Sequence, residues 1–253
     1  MLGRTMHGIA YNEVHDEIVV PHQFGQAILI FEGSAAGEAK PLRVIQGSLT
    51  QLTNPQHVEV DGINSEIYVP QRDKVLVFSR EANGNVAPIR ILTGPDTQMG
   101  AAKAIAVDNR HELLIVVSSA PGNRTAYQIA IFQRNASGNA KPERVITGLP
   151  AYGNVAVDPI RGLIFVVLPP RVGTPFTPPT KNISYVGVWS IHDDGPAPPR
   201  FTIGGPGGIL IEPRGVTLDL KNKAVIVSDK ELNAVLTFYA AKIFDGPAVT
   251  SDR

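Results

Sequence analysis

The chain has 253 residues, 23 Lys and Arg against 23 Asp and Glu, and no cysteine. A net charge of zero argues against nucleic acid or an anionic membrane as partner, since both favour a basic excess. Without cysteine there are no disulfides, thiolate zinc centres or cysteine nucleophiles, and 24 Gly with 21 Pro speak for turns rather than long helices. No window approaches the ~18 consecutive apolar residues of a membrane span. Met1-Leu2-Gly3-Arg4-Thr5-Met6-His7 carries no apolar stretch of the signal-peptide kind.

Taken in order, short runs rich in β-branched residues and bounded by Gly, Pro, Asn or Asp predict strands. The first unit supplies four, called A to D: Gly8–Asn12, Glu17–Pro21, Ala27–Phe31 and Leu42–Ile45. The second repeats them at Val58–Asp61, Glu66–Val69, Val75–Phe78 and Ile89–Leu92. The third has Ile105–Asp108, Leu113–Val117, Ile129–Phe132 and a strand after Pro142; the fourth has Val155–Asp158, Leu163–Val167, Val186–Trp189 and Arg200–Ile203. The fifth offers Val216–Asp219, Ala224–Val227 and Val235–Phe238, with its D strand missing or degenerate.

Every complete unit carries P-x-R-x-x-x-G at strand D, beginning at Pro41, Pro88, Pro142 and Pro198. Asn12, Asp61, Asp108, Asp158 and Asp219 close the A strands and are expected to cap the following turn by accepting backbone N–H bonds. The motif arginines Arg43, Arg90, Arg144 and Arg200 recur too regularly to form one site and are expected to join blade to blade. No helical period of 3.6 competes with this pattern. A four-stranded unit cannot cover its own apolar faces, so neighbours must stack, and radial stacking makes a β-propeller. The expected fold is therefore all-β: about five antiparallel blades over 7–47, 55–94, 103–148, 153–204 and 213–253, in one domain. The alternatives are a five-unit ring with an incomplete last blade, which is favoured, and a portion of a six-bladed ring.

The sequence A-V-D, then I-x-V, then V-x-V-F, then G-N-x-x-P-x-R-x-I-x-G resembles the bacterial NHL-repeat propellers, and Val227–Val235 resembles one of that family's blade segments. The resemblance covers nearly the whole chain. It implies a propeller scaffold and a secreted or periplasmic setting, and it leaves function open, because the fold hosts binders, lactonases and lyases.

In such a propeller the D–A and B–C connections share one face. That face would gather His7, Gln56, His57, Lys103, Asn154 and Arg214 from the D–A side, with His22, Arg72 and Asp229 from the B–C side. Two B–C connections are enlarged, Ser118–Tyr127 and Pro169–Tyr185, and the second holds Phe176 in a proline-rich arm suited to an exposed apolar contact. The expected function is non-catalytic binding of a protein, peptide or glycan at this channel mouth, with no cofactor. The alternative is a metal-assisted hydrolase or lyase, lactonase-like, drawing on His7, His57, Asn154 or Asp229, with a divalent ion. Glu59 interrupts a column of small residues and is expected to pair with Lys103 or Arg90. The unpaired edge of the last blade is expected to take an N-terminal strand or a second copy of the chain.

Overall fold

The computed structural model describes residues 8–169 and 184–246. The first sheet contains β1 (Ala10–Asn12), β2 (Glu17–His22), β3 (Ala27–Glu32) and β4 (Arg43–Gln46). The second contains β5 (Glu59–Asp61), β6 (Glu66–Gln71), β7 (Lys74–Ser79) and β8 (Arg90–Thr93). The third contains β9 (Ala102–Asp108), β10 (Leu113–Ala120), β11 (Asn123–Gln133) and β12 (Arg144–Leu149). The fourth contains β13 (Val155–Asp158), β14 (Leu163–Leu168), β15 (Tyr185–Ser190) and β16 (Phe201–Gly204). Among the described residues the fifth has three strands, β17 (Pro213–Asp219), β18 (Ala224–Asp229) and β19 (Ala234–Tyr239), followed by a short helix, α1 (Ala241–Phe244). Each sheet pairs antiparallel in chain order, and the five stand in a ring as a five-bladed β-propeller.

The A–B turns explain the acidic repeat. The side-chain oxygens of Asn12, Asp61, Asp108, Asp158 and Asp219 accept the amide N–H three residues on, at 2.9–3.3 Å. One residue later the chain is left-handed: Asp16, Ser65, Glu112, Gly162 and Lys223 all have φ between 50° and 64°. Only the fourth of these positions is a glycine, so the capping Asn or Asp side chain, and not backbone freedom, directs the reversal.

Alternating side chains leave each blade with two apolar faces, and adjacent blades bury them against each other. Ile28, Ile30 and Ile45 of the first blade meet Ile67, Val69 and Phe78 of the second. Tyr68 and Val77 meet Leu114 and Phe132, and Ile129 and Ile131 meet Ile164 and Trp189. Phe165 and Val188 of the fourth blade meet Val225 and Val227 of the fifth. Trp189 replaces the repeat's phenylalanine, is buried, and donates its indole N–H to the Ala197 carbonyl at 2.9 Å.

A backbone latch locks successive blades. The C–D turn glycines Gly84, Gly138 and Gly195 each form an isolated parallel bridge to strand D of the preceding blade, at Ile45, Leu92 and Ile146. Gly84, for example, donates to the Val44 carbonyl at 2.7 Å and accepts from Gln46 at 3.0 Å. The motif glycines complete the latch. Gly47 and Gly94 have φ of 128° and 122°, and a Cβ on either would collide with Asn85 or Asn139 of the next blade. Those asparagine oxygens in turn accept the amides of Leu49 and Asp96 at 2.8 and 2.7 Å. Among the described residues the junction between the fourth and fifth blades has no such bridge. There Phe244 of α1 is buried and stacks on Phe165 with ring centroids 5.9 Å apart.

One expectation needs correction. The motif arginines do not play one role. Arg43 reaches the second blade through the Arg80 carbonyl at 3.2 Å, and Arg144 reaches the fourth through the Ile191 carbonyl at 3.1 Å. Arg90 and Arg200 instead stay in their own blades, on Glu66 and Asp193. The enlarged Ser118–Tyr127 connection takes the form of an extension of the β10–β11 hairpin beyond the usual strand length, turning at Gly122.

Candidate functional site

The innermost strand of each blade lines a central channel of about 650 Å³. Its wall is mostly aliphatic, because strand A must also pack on both neighbouring blades. One level of the channel is set by equivalent positions two residues before each turn-capping Asn or Asp: Ala10, Glu59, Ala106, Ala156 and Thr217. Four small residues therefore face one carboxylate. Nearer the D–A end the wall is formed by Gly8, His57 and Asn154; Tyr11, Glu13 and Pro159 lie toward the opposite end.

Glu59 does not pair with Lys103 or Arg90. Arg90 is engaged by Glu66 at 2.5 and 2.7 Å, and the Lys103 ammonium lies 5.0 Å from the centroid of the Tyr152 ring. Desolvation within the channel wall, reinforced by the nearby Asp61 charge, pushes the Glu59 carboxyl up to about 8. At neutral pH it is therefore a protonated carboxylic acid, able both to donate and to accept. It remains half-buried, since the channel lets solvent reach a group that protein otherwise encircles.

Of the residues expected at the mouth, the structure brings His57 and Asn154 together in the channel wall, with Glu59 below them. The Asn154 side-chain oxygen accepts the Val155 amide at 2.7 Å, which orients its amide group. Gln56, Lys103 and Arg214 enter the A strands at the same end without lining the channel, and Arg214 is paired with Glu212. His22 ends β2, where its Nδ1 accepts the Gly25 amide at 2.8 Å. Arg72 sits exposed at the tip of the β6–β7 turn with φ 49°.

Asp229 has a different task. It is buried, and its carboxylate accepts the amides of Ile211, Glu212, Glu231 and Leu232 at 2.7–3.2 Å. Burial alone would raise its pKa, but these N–H bonds outweigh it and hold the group below the usual range. It ties the link before β17 to the β18–β19 turn and does not line the channel. His7 and Phe176, with the proline-rich arm, lie outside the described residues. Among the described residues no three His, Asp or Glu side chains converge as a group that could hold a metal ion.

Sequence reasoning missed Tyr152 and Tyr127. Tyr152 stands in the D–A link of the fourth blade, partly exposed, between Lys103 and Tyr127, whose ring centroid is 4.8 Å away. An aromatic just ahead of Gly153, where the other units have Gln56, Lys103 or Arg214 close by, was the available signal.

No protein-family model and no curated protein matches the sequence. Solved structures do match in fold. A chain of Kuenenia stuttgartiensis hydrazine synthase superposes with a TM-score of 0.66 at 11% identity, over 94% of this chain and 65% of that one. A chain of a nidogen/laminin complex gives 0.57 at 15% identity, over 94% and 81%, and one of a mitotic checkpoint complex gives 0.60 at 12%, over 92% and 60%. At such identities the likeness is one of fold, and this chain spans about two thirds of the first and less of the third. The chain is a β-propeller.

Proposed function

We propose that this protein is a non-catalytic binding propeller of the NHL-repeat type. It presents the channel end where the D–A and B–C connections gather to a protein, peptide or glycan, in a secreted or periplasmic setting. One observation carries the reading: three long polar side chains at that end are not committed to any side-chain hydrogen bond. Gln56, Arg72 and Lys103 make no side-chain hydrogen bond among the described residues, whereas the turn carboxylates at the opposite end are consumed inside their own turns. Exposed cations beside an aromatic pair, on loops carried by a rigid ring, are the usual material of a recognition surface. The nidogen/laminin and mitotic checkpoint structures are protein complexes, which supports an interaction role for a chain of this fold.

The test is selection of ligands from a displayed peptide library and a glycan array, followed by a double variant, Arg72→Glu with Lys103→Glu. Ligands should be obtained with the native chain and lost with the variant. Ligands held equally by both proteins would place recognition elsewhere. Stoichiometric zinc or calcium that is lost on His57→Ala would replace this reading with metal-assisted catalysis.

A further inference from the structure

The level of the channel set by Ala10, Glu59, Ala106, Ala156 and Thr217 combines room with two polar groups. The alanines extend only a methyl each, and the two longer side chains end in oxygen atoms. Among the described residues neither the Glu59 carboxyl nor the Thr217 hydroxyl makes a hydrogen bond or an ion pair. A carboxyl withdrawn from bulk water without a partner costs free energy, and a guest that pairs with it recovers that cost. The adjoining level is formed by Tyr11, Val60, Val107, Val157 and Leu218, aliphatic but for the tyrosine.

The charged groups of the lining have one sign. Glu59 lies in the lumen and Glu13 toward the far end, and among the described residues the lining includes no lysine or arginine. Along its own chain Glu59 is flanked by His57 and by Asp61, which is buried and held by Asn64, Asn109 and Arg134. Tyr68 stands opposite Glu59 in the sheet and donates its hydroxyl to Glu66 at 2.6 Å. The first blade adds Tyr11, whose hydroxyl donates to Asp16 at 2.8 Å, and β9, β13 and β17 bring no titratable side chain to the lining.

This setting favours a cation and sorts among cations. A metal ion needs several protein ligands, and no three His, Asp or Glu converge among the described residues. An alkylammonium needs one carboxylate, a neutral acceptor and an apolar wall for its chain. We propose that the channel lumen is a binding site for an aliphatic primary amine, held as its ammonium ion by the Glu59 carboxylate and the Thr217 hydroxyl, with its chain along the aliphatic wall. Before binding, burial keeps Glu59 protonated at neutral pH. The arriving ammonium supplies the opposite charge that the lining lacks, so the carboxyl proton passes to solvent as the ion pair forms. The site lies inside the channel, apart from the cations and the aromatic pair of the mouth, and does not depend on the function proposed for them.

The probe is n-hexylamine, titrated calorimetrically into the full 253-residue protein near neutral pH in two buffers of different ionisation heat, neither of them a primary amine. Saturable binding is expected, with release of about one proton per amine bound. Glu59→Gln keeps the shape of the side chain, circular dichroism verifies its fold, and it should weaken binding roughly tenfold or more and abolish the proton release. Thr217→Val should weaken binding about threefold or more. Hexan-1-ol and hexanoate should bind far less well than the amine. No saturation at millimolar amine, or hexan-1-ol bound as tightly, would overturn the proposal. So would binding and proton release that persist in Glu59→Gln, because the proton would then come from His57.

Discussion

Replacing Glu59 by Gln is expected to stabilise the protein at alkaline pH while leaving it unchanged at acid pH. In the native channel the Glu59 carboxyl is displaced from its ordinary 4.5 to about 8, whereas in the unfolded chain it titrates normally. Between those two values the native state holds a proton that the unfolded state has released. Stability therefore falls as pH rises through that window, at up to ~1.4 kcal/mol per pH unit. Over the whole window the ceiling is on the order of 5 kcal/mol; solvent access through the channel reduces it to about 2–4 kcal/mol. Glutamine keeps the shape and both hydrogen-bonding functions of the protonated acid and cannot ionise. Urea unfolding at pH ~5 and pH ~8.5 should show near-equal stabilities at the lower pH and a more stable variant at the higher. Parallel pH profiles for the two proteins would refute the assignment of a neutral carboxyl, and a less stable variant at high pH would mean that Glu59 has a cationic partner.

Three further outcomes follow from the packing. Phe244→Ala removes the ring that stacks on Phe165 where the fourth junction lacks a latch, and should cost about 3–5 kcal/mol in urea unfolding. Glu17→Gln leaves Arg43 and Arg80 without the buried carboxylate they share at 2.7–2.9 Å, a loss of about 2–3 kcal/mol. Desolvation raises the Glu17 pKa, but hydrogen bonds from Arg80 and Arg43 outweigh it and the net displacement is downward. The advantage of the native protein over that variant is thus present above ~4.5 and fades as pH falls through the depressed native value. Ser65→Gly relieves a left-handed residue at φ 55° whose side chain makes no hydrogen bond among the described residues, and should raise the unfolding free energy by about 0.5–1 kcal/mol.

The strands and the ring were legible because the same pattern was written several times. The Asp at each A–B turn reports a local bond to the third residue on, and local bonds are what sequence spacing encodes. Partners across a junction are not local. P-x-R-x-x-x-G and the Asn of G-N stood plainly in the chain, yet only the ring shows that Gly47 and Asn85 touch. The arginines illustrate the same limit. Glu17 and Glu66 face Arg43 and Arg90, but the equivalent positions in the next two blades are Leu113 and Leu163. Arg144 and Arg200 therefore find a carbonyl and Asp193 instead. The pairing expected between Glu59 and Arg90 was excluded by the strand order itself. Glu59 lies on the innermost strand and Arg90 on the outermost, three inter-strand steps of ~4.8 Å apart. At the channel mouth, Tyr152 went unseen because one aromatic in one link has no repeat to mark it.

The central claim is that four junctions of the ring are sealed, three by the latch and the fourth by Phe244, whereas among the described residues the junction of the fifth blade with the first leaves Val235 and Ile9 exposed and Gly37 unbridged. Hydrogen exchange read by mass spectrometry over peptides from each blade tests it most directly. The account predicts that amides of β3, β7, β11 and β15 exchange only with global unfolding, while half of those in β19, together with Gly37, exchange orders of magnitude faster. Protection of β19 equal to that of the other C strands, in the isolated monomer, would contradict it.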